Sequence, residues 1–368
     1  VYVEPTGDLE VRVTVIDRDV ERFFSSIILD DMTLARTAVA KYVPRIPFGS
    51  DDNTFGDQLA EGCIDLEQAG CEPVVGFFPA VNGRYERHDN GDPYSTYCLG
   101  NDGAPPCSDG VNYDYRANGY LYAVDVPQAA VDSGATITVE IYDPLYYFAD
   151  QGLTNRFYDG FDSNDPMHTK FTLFDADGSD VGISTTTEVP GCARVYEDGH
   201  GSGGASNVSN WHLRWEVHCT VTAGQADVYP FRVQSSGVPG ANETADGVNS
   251  FSLRVTSSDG NHPRLYARGD LGIMSTHDAG LADGTAPFKL AEIADDYAGK
   301  AMTLSLFDAG DMNGNGTATI IPRSPTGGVS SCMYRSWQVG GSFSGWTTVS
   351  PCRITTYSNG CLLYTSDA

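Results

Sequence analysis

Two ten-residue stretches align without a gap: GATITVEIYD from Gly134 to Asp143 and GKAMTLSLFD from Gly299 to Asp308. Gly, Thr and Asp coincide at the first, fifth and last positions. Ile137, Val139 and Ile141 alternate with Thr138 and Glu140, and Met302, Leu304 and Leu306 alternate with Thr303 and Ser305. A period of two puts alternate side chains on opposite faces, so each stretch reads as a strand with one buried face. Each is preceded by a short apolar run, YAVDV at Tyr122 to Val126 and LAEI at Leu290 to Ile293. The pattern predicts two related β units.

The rest of the composition agrees. The 20 Tyr and 16 Phe far outnumber the 6 Met, which favours sheets over helices. Gly (41) and Pro (19) supply many turns, and only 19% of residues are charged. A chain of 368 residues is long enough for two or three domains. The formal net charge of −27 excludes nucleic acid as a partner, because phosphate binding relies on Lys and Arg displacing counterions.

Nine cysteines contain no CxxC pair and have no zinc-finger histidine spacing. Neighbours fall into local pairs, Cys63 with Cys71, Cys98 with Cys107, Cys192 with Cys219 and Cys332 with Cys352, which suits an oxidising compartment outside the cytoplasm. Cys361 is left over. It opens the closing run CLLYTSDA, which resembles translated adapter sequence, so 361–368 is expected to be a non-native tail and the chain to be cut at both ends.

Along the chain, LEVRVTV (Leu9 to Val15) reads as a strand. VERFFSSIIL has helical apolar spacing, and MTLARTAVAKYV (Met32 to Val43) resumes as a strand before Pro44 and Pro47. Residues 49–118 are rich in Gly, Asp, Asn and Cys and predict a loop-dominated, disulfide-stapled connector. Strands are then expected at Tyr120–Val126, Ala135–Tyr142, Lys170–Phe174, Trp211–Val221, Tyr229–Val233 and Phe251–Val255. A second series is expected at Leu265–Ile273, Phe288–Ile293, Met302–Phe307 and Thr317–Ile321, and Cys332 to Cys352 brackets a last hairpin. The fold class expected is mostly β: tandem antiparallel β-sandwich, jelly-roll-like domains at 119–258 and 259–360, preceded by a small α/β fragment at 1–48 and the Cys-rich segment at 49–118.

The run EVRVTVIDRDVERFFSSIILDDMTLARTAVAKYV resembles the distal part of the TadE/TadG-like module of tight-adherence pilus-assembly proteins. PFGSDDNTFG (Pro47 to Gly56), NGDPYSTYC (Asn90 to Cys98), NGYLYAVDVP (Asn118 to Pro127) and YAGKAMTLSLFDAGD (Tyr297 to Asp311) are similar to the long extension of actinobacterial members. The resemblance implies an extracytoplasmic, non-catalytic component of the cell envelope or surface. Its partners would be other pilus or envelope proteins, and it would meet the membrane only through an N-terminal anchor missing from this sequence.

Candidate chemistry is sparse. Asp311, Asn313, Asn315 and Gly316 reproduce the opening D-x-N-x-N-G of a calcium loop, with Asp308 close by; these hard oxygen donors are the candidate Ca²⁺ ligands, and no other cofactor is expected. Pro322 stands where an EF-hand needs its bidentate Glu, so an EF-hand is excluded and a plain polar hairpin competes with a calcium site. Asp175, Asp177 and Asp180 are a second candidate open to the same two readings, for which a DG turn suffices, and Asp159, Asp162 and Asp165 form a third acidic loop with no ligand order. Alternation over Trp211 to Cys219 places Trp215, Val217 and Cys219 in the core and His212 and His218 on the exposed face, too far apart to share a metal. No nucleophile elbow, HExxH, Walker or dinucleotide motif occurs. Arg268-Gly269-Asp270 reads as coincidence. The alternative to the pilus role is a secreted calcium-dependent β-sandwich that binds carbohydrate or protein.

Overall fold

The computed structural model describes residues 2–7, 10–17, 34–41, 47–50, 52–57, 76–83, 119–144, 168–176, 187–197, 214–235, 248–268, 271–276, 289–293, 301–306, 317–324, 327–338, 342–357 and 362–367. These residues are mostly β, arranged in several small antiparallel sheets, with one five-residue helix.

Residues 1–46 form one compact unit and 47–368 another. The first holds β1 (Tyr2–Gly7), β2 (Glu10–Asp17) and β3 (Leu34–Lys41) in a three-stranded sheet of that order. The strands expected at Leu9–Val15 and Met32–Val43 are present as β2 and β3, although Val15, expected on the buried face, is exposed, and the β2–β3 ladder runs without a shift from Glu10↔Lys41 to Asp17↔Leu34. The helical run between them lies outside the described residues.

In the larger unit, β4 (Thr54–Phe55) and β5 (Gly76–Asn82) precede β6 (Tyr120–Asp125), the helix α1 (Gln128–Asp132) and β7 (Thr136–Tyr142). Next come β8 (Thr169–Phe174), β9 (Glu188–Tyr196), β10 (Trp215–Thr222) and β11 (Val228–Gln234). They are followed by β12 (Val248–Ser250), β13 (Ser252–Ser257), β14 (Arg264–Ala267) and β15 (Gly272–Thr276). Three sheets result: β10-β7-β13-β4, β14-β6-β11-β8-β9 and β12-β5-β15.

The alternation of GATITVEIYD is realised in β7. Ile137, Val139 and Ile141 are buried, Thr138 and Glu140 half-exposed, and β7 sits between β10 and β13. Gly134 ends the turn after α1 at φ +63, a left-handed conformation that glycine adopts without a Cβ penalty, and this aims the chain into β7. The inward residues of the four- and five-stranded sheets, joined by Phe77 of the three-stranded sheet, meet in one buried cluster that includes Phe55, Tyr122, Phe171, Phe231 and Phe251. Phe55 meets Tyr122 edge-on at 5.3 Å, and Phe171 meets Phe251 at 5.2 Å and 88°. Burial of each such side chain contributes roughly 1.5–3 kcal/mol.

Two expectations change here. The segment 49–118 is not only a connector, because its described parts supply core. Phe55 and Phe78 are fully buried, and Asp57 and Phe77 exchange hydrogen bonds, Asp57 N–H to the Phe77 carbonyl and Phe77 N–H to the Asp57 carboxylate, both at 2.8 Å. The carbonyls of Asp52 and Asn53 accept from Leu265 and Val255, so PFGSDDNTFG is a knot between β13 and β14. The expected strand Leu265–Ile273 is in fact two, and both join the earlier elements: β14 pairs with β6 and β15 with β5. Of the strand expected at Phe288–Ile293, the described residues 289–293 run beside 47–49, with a bridge between Ala291 and Phe48.

Near the C-terminus, β16 (Ala301–Leu306), β17 (Thr317–Ile320), β18 (Arg323–Ser324), β19 (Gly327–Gly328), β20 (Cys332–Gln338), β21 (Ser342–Phe343), β22 (Thr347–Val349), β23 (Ile354–Tyr357) and β24 (Leu362–Asp367) follow. The second ten-residue stretch is thus a strand too, β16. Leu304 packs on a small cluster of Cys332, Cys352 and Ile354. The expected Cys332–Cys352 hairpin is present as β20 paired with β22. Residues 362–367, set aside from sequence as a non-native tail, form β24 between β16 and β20.

Candidate functional site

Chemistry-bearing side chains concentrate where two sheet edges face each other. β9 is the last strand of the five-stranded sheet and β10 the first of the four-stranded sheet. A disulfide joins Cys192 of β9 to Cys219 of β10, with Cα atoms 5.3 Å apart, as the local pairing predicts. The second described bridge, Cys332–Cys352, also forms. Cys63, Cys71, Cys98 and Cys107 lie outside the described residues.

Beside that bridge the sequence reading of β10 is overturned. Val217 pairs with Glu140 and Cys219 with Val139, so the ladder shifts at the intervening His218. One extra residue in a strand reverses the alternation beyond it. Val217, expected in the core, is 51% exposed, and His218, expected outside, is 5% exposed. Cys219 is buried as expected.

The buried ring is fully engaged. His218 Nε2 lies 3.1 Å from the Cys192 carbonyl oxygen, which can only accept, so Nε2 carries the proton. Nδ1 is then the acceptor for the Tyr196 hydroxyl at 3.4 Å. Phe171 and Phe231 enclose the ring, with centroids 6.2 and 5.7 Å away. Burial above all, and the nearby Arg194 charge, hold His218 down at about 4, so it is neutral at physiological pH. Burial likewise pushes the Tyr196 hydroxyl up. Arg194 donates to Glu216 at 2.9 Å and lies over the Tyr196 ring. A neutral histidine enclosed in this way fastens β10 to β9.

The outer face of the four-stranded sheet carries a second constellation. Arg254 of β13 donates through two nitrogens to Glu140 of β7 at 2.7 and 2.8 Å, and its guanidinium lies 4.2 Å from the Trp215 ring centre. Two parallel bonds match the fork of a guanidinium to a carboxylate, so the two charges are spent on each other. Threonines fill neighbouring positions in register: Thr136 opposite Thr222, and Thr138 opposite both Thr220 and Thr256. Around them Val217 is exposed and Trp215, expected in the core, is half-exposed, so the charges among the described residues of these strands' outer face cancel on a chain of −27.

A third cluster closes the turn after β13. Asp259 accepts from Ser133 (2.6 Å), Ser257 and Asn261, and these hydrogen bonds hold its carboxyl far below the usual range. His262 Nδ1 accepts from the Ser257 N–H at 2.9 Å. The turn ties α1 to β13, and its Ser, His and Asp are not arranged as nucleophile, base and orienter.

Most other sequence candidates fall outside the described residues. Asp308, Asp311, Asn313 and Asn315 lie outside the described residues, as do His212, Asp159, Asp162, Asp165, Asp177 and Asp180. The Asp175 N–H bonds the Thr187 carbonyl, as a turn beside a strand pair would require. Of Arg268-Gly269-Asp270 only Arg268 is described, and its N–H bonds Leu121. Among the described residues, no three His, Cys, Asp or Glu side chains could share a metal, and no helix is long and apolar enough to cross a membrane.

No family model, curated protein or solved structure matches the chain.

Proposed function

We propose that the chain is a non-catalytic, extracytoplasmic component of the cell envelope, of the TadE/TadG-like pilus-assembly kind, which works by contact with other pilus or envelope proteins. The observation that carries the contact role is the neutral outer face of β10-β7-β13-β4. Its threonines, Trp215, Val217 and the cancelled Arg254–Glu140 pair form an uncharged patch on a strongly acidic molecule. Interface centres are depleted of charge in the same way. The two disulfides support an oxidising compartment. The strand pair β2–β3 supports the TadE/TadG-like reading of residues 1–48. In this reading the four- and five-stranded sheets are the two layers of a β-sandwich around their shared core, and the sheet containing β16 belongs to a second one.

Two experiments test it. The gene should lie beside genes for a pilus ATPase and prepilins; a different neighbourhood removes the pilus assignment. In such a cell, Thr220→Lys with Thr222→Lys should abolish co-purification of pilus subunits with the full chain while leaving its melting temperature within a few degrees. Retained co-purification would rule out this face. The calcium-dependent alternative rests on Asp308, Asp311, Asn313 and Asn315, and a melting temperature equal in Ca²⁺ and in chelator would remove it.

A further inference from the structure

Two of the links between the β9 and β10 edges converge on Cys192. Cys192 receives both a covalent bond from Cys219 and, on its carbonyl, the Nε2 proton of the neighbouring His218. The β10 bulge makes this possible, since in a regular strand residues 218 and 219 would face opposite ways. Among the described residues β9 and β10 share no backbone ladder. Their connection is made by side chains: the disulfide, the histidine and the Arg194–Glu216 pair, whose side chains are 34% and 28% exposed and so hold weakly.

We propose that this seam is an acid-released clasp: protonation of His218 parts the β9 and β10 edges locally, while the disulfide keeps them tethered. The groups facing the ring decide the direction. From β9 come the Arg194 guanidinium, the Tyr196 hydroxyl and the Cys192 carbonyl; β8 and β11 present the rings of Phe171 and Phe231; Glu216, on the histidine's own strand, is engaged by Arg194. The Tyr196 hydroxyl can rotate so that its oxygen accepts a hydrogen bond from Nδ1–H of the charged ring, so the penalty is not a lost hydrogen bond. It is a cation held away from water beside the Arg194 cation, and turning outward relieves both. The bridge leaves that movement short and reversible.

The test uses the oxidised full chain and a phosphine reductant, with each bridge followed by peptide mapping. From about pH 7 to about pH 4.5, reduction of Cys192–Cys219 should accelerate about ten- to fifty-fold relative to the equally buried Cys332–Cys352, because opening is linked to proton uptake by a group with a depressed folded pKa. In His218→Gln, which still donates to the Cys192 carbonyl but does not titrate, that relative acceleration should vanish. In Arg194→Gln it should shrink, since one source of the penalty is gone. Equal acid response of both bridges in the native chain, or an undiminished response in His218→Gln, overturns the proposal. Should the glutamine variant not fold, ring resonances of the native chain decide: a His218 that titrates like a free histidine, with no faster amide exchange in residues 192–196 at acid pH, overturns it equally.

Discussion

A single imidazole gives this molecule a readable acid response. Folded His218 titrates near 4, against 6.5 for an ordinary histidine. Between those values the unfolded chain binds a proton that the folded chain refuses. The stability it contributes is full above about pH 6.5, declines as the pH falls toward 4, and levels off below that. The expected loss is on the order of 3 kcal/mol. Urea unfolding of the native chain and of His218→Gln across this range measures it as the difference between the two curves. Asp259 acts in the same direction at still lower pH, because its folded carboxyl is held down by its hydrogen bonds. Arg254→Met should cost about 1–3 kcal/mol by leaving the Glu140 carboxylate half-buried without its fork, and adding Glu140→Gln should restore part of that, as a double-mutant cycle by denaturant would show. The sequence shows that these residues are present and not that they meet: Arg254 and Glu140 are far apart in the chain, and only the β7–β13 register brings them together.

At the level of strands, period-2 alternation made the central strands legible, because a sheet with one wetter face imposes that pattern on β7 and β13. It failed where geometry departs from the period. The β10 bulge inverted the faces assigned to Val217 and His218, and a bulge leaves no mark in hydrophobic patterning. Deleting Val217 should close it, moving His218 opposite Glu140 and out of reach of Cys192. The ladder should persist, stability should fall by about 1–3 kcal/mol, and the acid dependence between pH 6.5 and 4 should flatten, all visible in urea titrations at two pH values. Phe55 and Phe77 were hidden for other reasons: Gly, Asp and Asn surround Phe55 in a strand of two residues, and Pro79 interrupts the apolar run that holds Phe77. β14 and β15 were grouped with later strands because sequence order says little about which distant strand completes a sheet.

Taken whole, a formal charge of −27 sets carboxylates against one another in the compact state. Raising sodium chloride from about 20 mM to about 500 mM should therefore raise the melting temperature by several degrees, since the screening length falls from roughly 20 Å to 4 Å. A melting temperature unchanged by salt would mean the acidic groups are already offset locally. The candidate calcium loop was legible only as a ligand order, which a hairpin of the same residues shares, so sequence could nominate Asp308 to Asn315 without deciding between them.

The position of β5 carries a consequence for how the chain is made. Its ladder partners, β12 and β15, lie about 170 and about 200 residues further on. At a synthesis rate of roughly 5–20 residues per second, Phe77 and Phe78 wait about 10–40 s for the strands that shelter them. Throughout that interval the nascent chain displays two sticky aromatic rings on an unpartnered ribbon. A holdase that favours aromatic segments should therefore cross-link to residues 76–82 of arrested chains ending near residue 240, and release them once residue 276 has emerged.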